Sequence, residues 1–287
     1  MNSVQLRRMI ESDLRATNRL REIAGWNQTL DDWRLLLALE PEGCFVAVQG
    51  GEVIGTVTTT TYGRVLAWIG MMLVHPDHRR GGVGTSLMRI ALESLQNAGV
   101  TCVRLDATPA GRSLYEKLGF VSEWSLTRHE RSVMEPIDRE EVSRAVVRDF
   151  SESDWPAVVA LDARGFGIER KRLLHALARH CRRVALGEAD GHVVSWGMIR
   201  PGAKADYLGP IVSEAADAVS PLVAALVRLA GDRPVFWDVP DDNEAAVMMA
   251  RACGFRPVRP LTRMRLGPNT VIADPHRQFA IADPALG

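Results

Sequence analysis

The sequence lacks an excess of charge of either sign and any long apolar run. Lysine plus arginine number 35 and aspartate plus glutamate number 35, so the formal net charge is zero. This balance argues against nucleic acid or an anionic membrane as the main partner. No uninterrupted apolar run is long enough to span a membrane, and the N-terminus has no apolar signal region. We therefore expect a cytoplasmic protein with neither a nucleic-acid nor a membrane partner.

Cysteine is scarce and carries no spacing motif. The four cysteines lie far apart and form no C-x-x-C pair: Cys44, Cys102, Cys181 and Cys253. They predict free thiols in a reducing compartment, with neither a metal site nor a disulfide framework. The hydrophobic content of 46% and charged content of 24% are typical of a soluble globular protein. A length of 287 residues is sufficient for two domains of ordinary size.

One stretch, 71–88, indicates a ligand site. An apolar strand over 68–74 is followed by a short basic turn, and three glycines then open a helix that reaches about Asn97. Glycines let the backbone turn tightly and bring consecutive N–H groups close to a ligand. The helix start adds unpaired N–H groups and the positive end of its dipole, and Arg79 and Arg80 add full charge. This combination predicts a cradle for a phosphate or diphosphate.

The stretch does not match the two best-known phosphate loops. The P-loop requires a lysine that is absent here, and the Rossmann fingerprint has its first glycine directly behind the strand. The stretch resembles instead the pyrophosphate loop of the GNAT superfamily, the Gcn5-related N-acetyltransferases. The matching positions are Val74, Pro76, Arg79, Gly82 and Gly84. The plainer alternative is an ordinary strand-turn-helix with a glycine-rich turn.

The resemblance implies acetyl-CoA as cofactor, with CoA as product, and no metal. The residues implied to hold the diphosphate are Arg79, Arg80, Gly81, Gly82, Val83, Gly84 and Thr85. The backbone implied to pair with the pantetheine arm is that of Met72, Leu73 and Val74. Tyr115 stands where the family donates a proton to the departing thiolate, and Thr108 and Ser113 are further cofactor candidates. A packing tyrosine is the alternative for Tyr115, and many relatives carry asparagine in place of Thr108.

The order of predicted elements is that of the GNAT fold, a mixed α+β architecture. We expect a mixed sheet flanked by helices that splays between its fourth and fifth strands. Two helix starts are predicted from capping residues. Ser12 would cap a helix over residues 13–24, and Thr29 with Asp32 would begin a helix from Leu30 to Leu39.

The second half repeats these elements weakly but in order. We expect a catalytic GNAT domain over 1–134 and a degenerate GNAT-like domain over 145–287, with a boundary in the charged segment 135–141. The second half has carboxylates over 213–217 in place of the glycine loop, and Ala250 in place of the tyrosine. Two carboxylates near a helix start would repel a diphosphate. The arrangement resembles a family of bacterial tandem acetyltransferases, and we expect the second domain to complete the substrate pocket.

No general base is assigned from the sequence. Many family members place a glutamate four residues before the motif valine, and that position is Gly70 here. A water chain, or a group from the second domain, could take the proton instead. His75 and His78 are interpreted as solvated turn residues or phosphate neighbours rather than bases.

The candidate substrate residues are Trp26, Tyr62, Trp68 and Asp238. Core packing is the alternative for each tryptophan, and a helix N-cap region is the alternative for the acidic run 238–244. The apolar tail over 271–287 is expected to pack on a domain as a lid.

The favoured function is an acetyl-CoA-dependent N-acetyltransferase for a small primary amine, such as an amino acid, polyamine or amino sugar. Transfer would be direct, in a ternary complex, because no cysteine stands in a basic environment readable from sequence. Two alternatives stay open, a non-catalytic acyl-CoA sensor and a protein lysine acetyltransferase. The protein is expected to be a monomer or a homodimer.

Overall fold

In the computed structural model of the chain, residues 3–132, 143 and 145–287 are described. The predicted domain boundary, 135–141, lies outside the described residues. The elements of the first half are β1 (Gln5–Arg8), α1 (Leu14–Ile23), α2 (Leu30–Leu39), β2 (Cys44–Gln49), β3 (Glu52–Tyr62), β4 (Leu66–Val74), α3 (Val83–Asn97), β5 (Cys102–Ala107), α4 (Arg112–Lys117) and β6 (Val121–Arg131). Those of the second half are β7 (Val146–Asp149), α5 (Trp155–Phe166), α6 (Lys171–Ala178), β8 (Arg183–Ala189), β9 (His192–Arg200), β10 (Asp206–Ser213), α7 (Val219–Val227), β11 (Val235–Pro240), α8 (Glu244–Ala252), β12 (Arg256–Leu266) and β13 (Gln278–Ala280).

The described chain divides into two compact units. Unit 1 consists of Met1–Ser122, Met264–Thr270 and Leu286. Unit 2 consists of Glu123–Arg263, Val271–Ala285 and Gly287. Each unit therefore takes one strand segment from the other sequence half, the end of β12 for unit 1 and nearly all of β6 for unit 2. The ranges 1–134 and 145–287 follow the sequence repeat. As the bounds of the two functional domains they stay a prediction.

The sheet of unit 1 has the strand order β1-β2-β3-β4-β5, followed by the end of β12. The first four strands are antiparallel, and β5 is parallel to β4. The β2–β3 hairpin turns at Gly50 and Gly51, whose φ values of 62° and 90° lie in the left-handed region that glycine tolerates. This mixed sheet confirms the predicted fold class.

Helix α3 packs on one face of this sheet because its apolar residues recur at helical spacing. Leu87, Met88 and Ala91 are fully buried against strand residues such as Val57 and Ile69. Truncating one of these larger side chains to alanine would cost about 2–5 kcal/mol. Helix α2 covers the other face, where the Cys44 thiol donates to the Leu36 carbonyl oxygen at 3.8 Å.

The sheet of unit 2 has the order β6-β11-β10-β9-β8-β7, with β12 beside β6 and β13 beside β10. Strand β11 is parallel to β10 and antiparallel to β6. Its core gathers around β10, β11 and α7, with Trp237, Leu208 and Leu222 fully buried. The tail segment Val271–Ala285 belongs to this unit. The tail therefore packs on a domain, as its apolar sequence predicts.

A bidentate ion pair at the start of each half supports the predicted repeat. Arg7 donates to both Asp13 carboxylate oxygens at 2.6 and 2.8 Å. Arg148 donates to both oxygens of Asp154 at 2.8 Å. In both halves the aspartate also accepts from the backbone N–H three residues earlier. The same ion pair therefore occurs at the same position of each half, as the weak sequence repeat predicts.

One predicted cap is confirmed and one is wrong. The Thr29 hydroxyl accepts from the Asp32 N–H and Asp32 accepts from the Thr29 N–H, which forms the capping box that begins α2. Ser12 does not cap α1. It lies inside a 3₁₀ turn over Glu11–Asp13, and the Asp13 carboxylate accepts from Ile10 N–H instead.

Three further observations concern the described residues. None of their helices is long and apolar enough to cross a membrane. None of the four cysteines forms a disulfide, and three of them are buried. No group of three or more His, Cys, Asp or Glu side chains among residues 3–132, 143 and 145–287 is arranged to hold a metal ion.

Candidate active site

The candidate site of unit 1 begins with a bulge in β4. Met71 and Met72 together face the single residue Val57 of β3, because the register shifts there. Met71 has φ of 46°, unusual for a residue with a side chain, and its carbonyl oxygen accepts from the Thr56 hydroxyl at 2.7 Å. The bulge re-aims the following residues of the strand.

Beyond the bulge, β4 has an edge that β5 does not pair. The β4–β5 ladder ends at Trp68 and Arg104, although β4 continues to Val74 and β5 to Ala107. This is the splay predicted between the fourth and fifth strands. The backbone after Trp68, which includes Met72, Leu73 and Val74, therefore borders a gap into which an extended ligand can add as a strand.

The loop after β4 is exposed and shaped by backbone geometry. The Arg79 Nε–H donates to the Val74 carbonyl oxygen at 3.0 Å, which folds the loop back on the strand end. Arg80 and Gly82 both have left-handed φ, 63° and 83°. Gly82 is the residue before α3, whose first turn carries no acidic side chain. The loop therefore presents two exposed guanidinium-bearing residues and a helix N-terminus, the features that favour a diphosphate.

Gly84 brings three elements of the site together. A Cβ atom at Gly84 would lie 3.1 Å from Met72 Cε, 3.5 Å from Leu114 Cδ2 and 3.7 Å from Val74 Cγ2. The start of α3 thus lies against both the end of β4 and helix α4, which carries Tyr115. Val83 is buried beneath the loop, and Thr85 is half-buried. The predicted loop, strand and tyrosine elements therefore converge in unit 1.

Tyr115 is buried, with 8% of its surface exposed. Its ring packs edge-on against Phe120 at a centroid distance of 6.0 Å, and its Cε2 lies near Gly111. Burial raises the pKa of Tyr115 to about 12, because the phenolate would lose its hydration. Within the described residues the hydroxyl has no hydrogen-bond partner. It is therefore a protonated donor with no protein acceptor.

The two remaining cofactor candidates differ in their setting. The Thr108 hydroxyl accepts from the Gly111 N–H at 3.3 Å, so it helps to turn the chain into α4. Ser113 is exposed on α4. Of the two predicted turn histidines, His75 accepts from the Asp77 N–H through Nδ1 at 3.4 Å, and its ring lies 5.7 Å from that of His78. Both histidines are partly exposed residues of the loop.

Buried polar atoms lie on the face of the sheet that carries Gly70. Thr58 is the partner of Gly70 across β3 and β4, and Thr60 is the partner of Trp68. The hydroxyls of Thr58 and Thr60 and the Trp33 indole nitrogen have no hydrogen-bond partner among the described residues, although all three side chains are at least 97% buried. Trp33 is also a candidate lining residue from the sequence, whereas the two threonines were not identified there, because their residue type indicates only a strand.

The candidate substrate residues of unit 1 are placed as follows. Trp68 is fully buried, and Tyr62 is buried with its hydroxyl donating to the Leu286 carbonyl oxygen at 2.6 Å. Both lie on the face that carries Thr58 and Thr60, because side chains alternate along β3 and β4. Trp26 is half-buried in the α1–α2 connection.

Asp238 belongs to unit 2 and is fully buried. Arg128 donates to both of its oxygens at 2.8 and 2.6 Å, and the Tyr207 hydroxyl donates at 3.0 Å. Burial raises the pKa of Asp238, but the charge and hydrogen bonds of Arg128, the charge of Arg259 and the Tyr207 hydrogen bond together outweigh burial, so the pKa is lowered. The negative charge of Asp238 is therefore compensated inside unit 2. For this reason the proposed substrate site does not include Asp238. In the same acidic run Asn243 caps α8 by accepting from the Ala246 N–H at 3.0 Å.

Comparisons with known proteins agree with this geometry. The Acetyltransferase (GNAT) family matches residues 7–120, and the Acetyltransferase (GNAT) domain family matches residues 158–280, so together they span more than half of the chain. The uncharacterized N-acetyltransferase YitH of Bacillus subtilis is 26% identical over 83% of this chain and 83% of its own. The holothin acyltransferase of a Pseudoalteromonas species is 25% identical over 91% of this chain and 87% of its own.

A solved structure extends the likeness to the fold. A putative acetyltransferase from Pyrococcus horikoshii has a TM-score of 0.82 and 25% identity, and the match covers 100% of this chain and 97% of that one. The family implies an acyl-CoA donor. The chain belongs to the GNAT superfamily and is an N-acyltransferase built from two GNAT domains in tandem.

Proposed function

We propose that this chain transfers an acetyl group from acetyl-CoA to a primary amine of a small molecule, such as an amino acid, polyamine or amino sugar. The proposal is carried by the convergence, around Gly84, of the exposed loop, the unpaired edge of β4 and the helix of Tyr115. The loop suits the diphosphate of the donor, the edge of β4 suits its pantetheine arm, and Tyr115 suits the departing thiolate. Their coincidence in unit 1 supports catalysis there.

We assign the diphosphate to the loop from Arg79 to Thr85 and the pantetheine arm to the backbone of Met72, Leu73 and Val74. An exposed loop without acidic groups from Arg79 to Thr85, placed at a helix N-terminus, favours the diphosphate electrostatically. The cofactor, when bound, supplies a thioester that an amine can attack. A backbone N–H beyond the bulge would donate to the carbonyl oxygen as negative charge develops on it.

We assign the proton donor to Tyr115. Its hydroxyl keeps its proton at physiological pH because burial raises its pKa to about 12. It is buried in the core that also contains Ala107, at the end of β5. A phenol held there would give its proton to the departing thiolate.

Direct attack by the amine is favoured over a covalent enzyme intermediate. Cys44 lies on the strand next to Thr58, on the same face as Gly70, but burial raises the pKa of its thiol to about 12. A thiol held in its protonated form is a poor nucleophile. The transfer therefore takes place in a ternary complex.

The amine must lose a proton without a carboxylate on β4, since Gly70 occupies that position. We assign the proton to water held against the orphaned hydroxyls of Thr58 and Thr60 and the Trp33 indole. Buried polar atoms of this kind are the ordinary partners of internal water. Trp26, Tyr62 and Trp68 remain proposed lining residues of the amine pocket.

Small molecules are the favoured acceptors. The relative that matches along 91% of this chain is named for one acceptor, holothin, whereas a human relative named as an N-alpha-acetyltransferase matches along only 31%. The second candidate class is therefore a protein amine. The cysteines, which form no disulfide, and the need for acyl-CoA support a cytoplasmic location. We expect a monomer or a homodimer.

The deciding experiment is calorimetric titration with acetyl-CoA, followed by an amine screen that detects released thiol. We expect one site per chain, and strongly weakened binding when Arg80→Ala is combined with Gly82→Val. Arg89→Ala, an exposed arginine on α3 outside the loop, is the matched control and should bind normally. Absence of binding would refute the proposed function. Activity on a folded protein with none on free amines would move the assignment to a protein acceptor.

A further inference from the structure

Strand β10 of unit 2 has the same bulge as β4. Gly209 and Pro210 together face the single residue Met198 of β9. Gly209, like Met71, has a positive φ, here 151°. Pro210 therefore stands where Met72 stands in unit 1, and proline has no N–H to offer a ligand.

Strand β10 also separates from β11, but the gap is filled. The β10–β11 ladder ends at Leu208 and Trp237, and beyond it β13 pairs antiparallel with β10. The paired residues are Ile211 with Ala280 and Val212 with Gln278. The edge that borders the open gap in unit 1 is thus covered in unit 2 by residues of the chain itself.

Side chains of unit 2 fix this segment in place. The Trp237 indole N–H donates to the Phe279 carbonyl oxygen at 2.7 Å, and the Ile281 N–H donates to the Asp238 carbonyl oxygen at 3.2 Å. The Asn243 amide nitrogen lies 3.0 to 3.2 Å from three carbonyl oxygens of the segment, those of Pro275, His276 and Gln278. The Asn243 amide thus contributes to holding the approach to β13, together with the bonds from Ser213 N–H to the Arg277 carbonyl oxygen and from the Gln278 amide to the Gly165 carbonyl oxygen.

Two glycines of unit 2 lie directly against the backbone of the tail. A Cβ atom at Gly209 would lie 2.3 Å from the Ile281 carbonyl oxygen. A Cβ atom at Gly167 would lie 2.6 Å from the Ile272 carbonyl oxygen. Any side chain at these positions would displace the tail, so the glycines and the tail fit one another.

The outer end of the gap carries the wrong charge for a diphosphate. A cavity of about 420 Å³ lies there, where β10 ends and α8 begins. Its lining includes the carboxylate residues Glu214, Asp242, Glu244 and Asp274, with Arg277 and His276 as the basic residues. The carboxylate of Asp274 already accepts from Arg277 at 3.0 Å.

We infer that β13 is the permanent occupant of the acyl-CoA cleft of unit 2. Strand β13 pairs with the edge of β10. In the proposed function, the corresponding edge of β4 in unit 1 pairs with the pantetheine arm. Unit 2 is then a GNAT fold completed by its own chain, which needs no cofactor and admits none. The protein binds one acyl-CoA per chain for this reason, and not only because a loop is missing.

The test is backbone hydrogen exchange of the full-length protein, followed by mass spectrometry. Without ligand, peptides covering 278–282 should exchange at least about 100-fold more slowly than an unstructured chain. Acetyl-CoA should slow exchange in β4 and leave peptides of β10 and β13 unchanged. Unstructured exchange of the tail, or slowing by acetyl-CoA in β10, would overturn the inference.

A second test uses a variant that weakens the attachment of the tail and keeps the cap of α8. Asn243→Ser keeps an oxygen that can cap α8 and removes the donors to the three tail carbonyls. Exchange over 278–282 should become about 100-fold faster, with one acetyl-CoA site retained. The control Asp242→Asn, an exposed neighbour, should change neither. Exchange unchanged in Asn243→Ser would count against the inference. A protected tail in a protein that binds no acetyl-CoA would support the inference and refute the proposed function.

Discussion

Replacing Tyr115 by phenylalanine removes one oxygen atom and leaves the ring that packs against Phe120. Within the described residues the hydroxyl makes no hydrogen bond, so its loss should change the free energy of unfolding by less than about 1 kcal/mol. If the hydroxyl donates the proton in catalysis, kcat should fall by about 10²- to 10⁴-fold. That loss corresponds to about 3–5 kcal/mol of transition-state stabilisation.

The assay follows thiol release at saturating acetyl-CoA and amine, together with calorimetric binding and thermal unfolding. The matched control is Tyr207→Phe, since the Tyr207 hydroxyl is also buried but donates to Asp238 at 3.0 Å. This control should lose stability and keep turnover, whereas Tyr115→Phe should keep stability and lose turnover. If Tyr115→Phe stays within about threefold of the parent kcat, or loses affinity for acetyl-CoA instead, our assignment of the proton donor is wrong.

Four further predictions concern the site and the fold. The pH profile of kcat/KM should rise with deprotonation of the amine and show no fall up to about pH 10.5, because Tyr115 titrates only near 12; a fall near pH 9 in a steady-state titration would contradict this. Asp238→Asn should leave Arg128 buried without its counter-charge and lower Tm by about 10 °C with KM unchanged, measured by calorimetry and kinetics; a raised KM at normal Tm would restore Asp238 to the substrate site. Gly84→Val should abolish acetyl-CoA binding because its branches would meet Met72, while Gly63→Ala at an uncrowded turn should bind normally; normal binding of the valine variant would remove Gly84 from the site. The two sequence halves expressed separately should fail to fold, as judged by near-ultraviolet circular dichroism, because each unit takes a strand from the other half; two native spectra would show that the exchanged strands are dispensable.

What the sequence predicted well was decided by local chemistry. The loop after β4 and the Thr29 capping box each depend on residues within a few positions of one another. Neighbouring residues determine the preferred backbone angles and the first hydrogen bonds of such features, so a single sequence is sufficient to identify them. The same holds for the family motif, whose five positions fall within eleven residues.

What the sequence did not predict depends on pairing between distant residues. The exchange of β6 and the end of β12 between the units could not be predicted from local sequence. The alternation of apolar and polar residues along a strand does not show which strand it pairs with. The bulge at Met71 was missed because no glycine marks the residue with positive φ. The Ser12 cap was wrong because the chain makes a 3₁₀ turn over Glu11–Asp13, in which Asp13 accepts from the Ile10 N–H and also binds Arg7.

The contrast between β4 and β10 explains how one fold can be kept with and without its cofactor. A parallel pair that separates leaves backbone groups unpaired on a strand edge, and such groups must find partners when they are buried. In unit 1 we assign those partners to the acyl-CoA, so the open edge of β4 is a condition of activity. In unit 2 the partners are permanent, since β13 pairs with β10 and the Trp237 indole bonds to it. With that edge satisfied, as we infer, unit 2 can carry the acidic segment 213–217 and Ala250 where unit 1 has the diphosphate loop and Tyr115. We therefore infer that the tail strand and the absence of a cofactor site in unit 2 belong together.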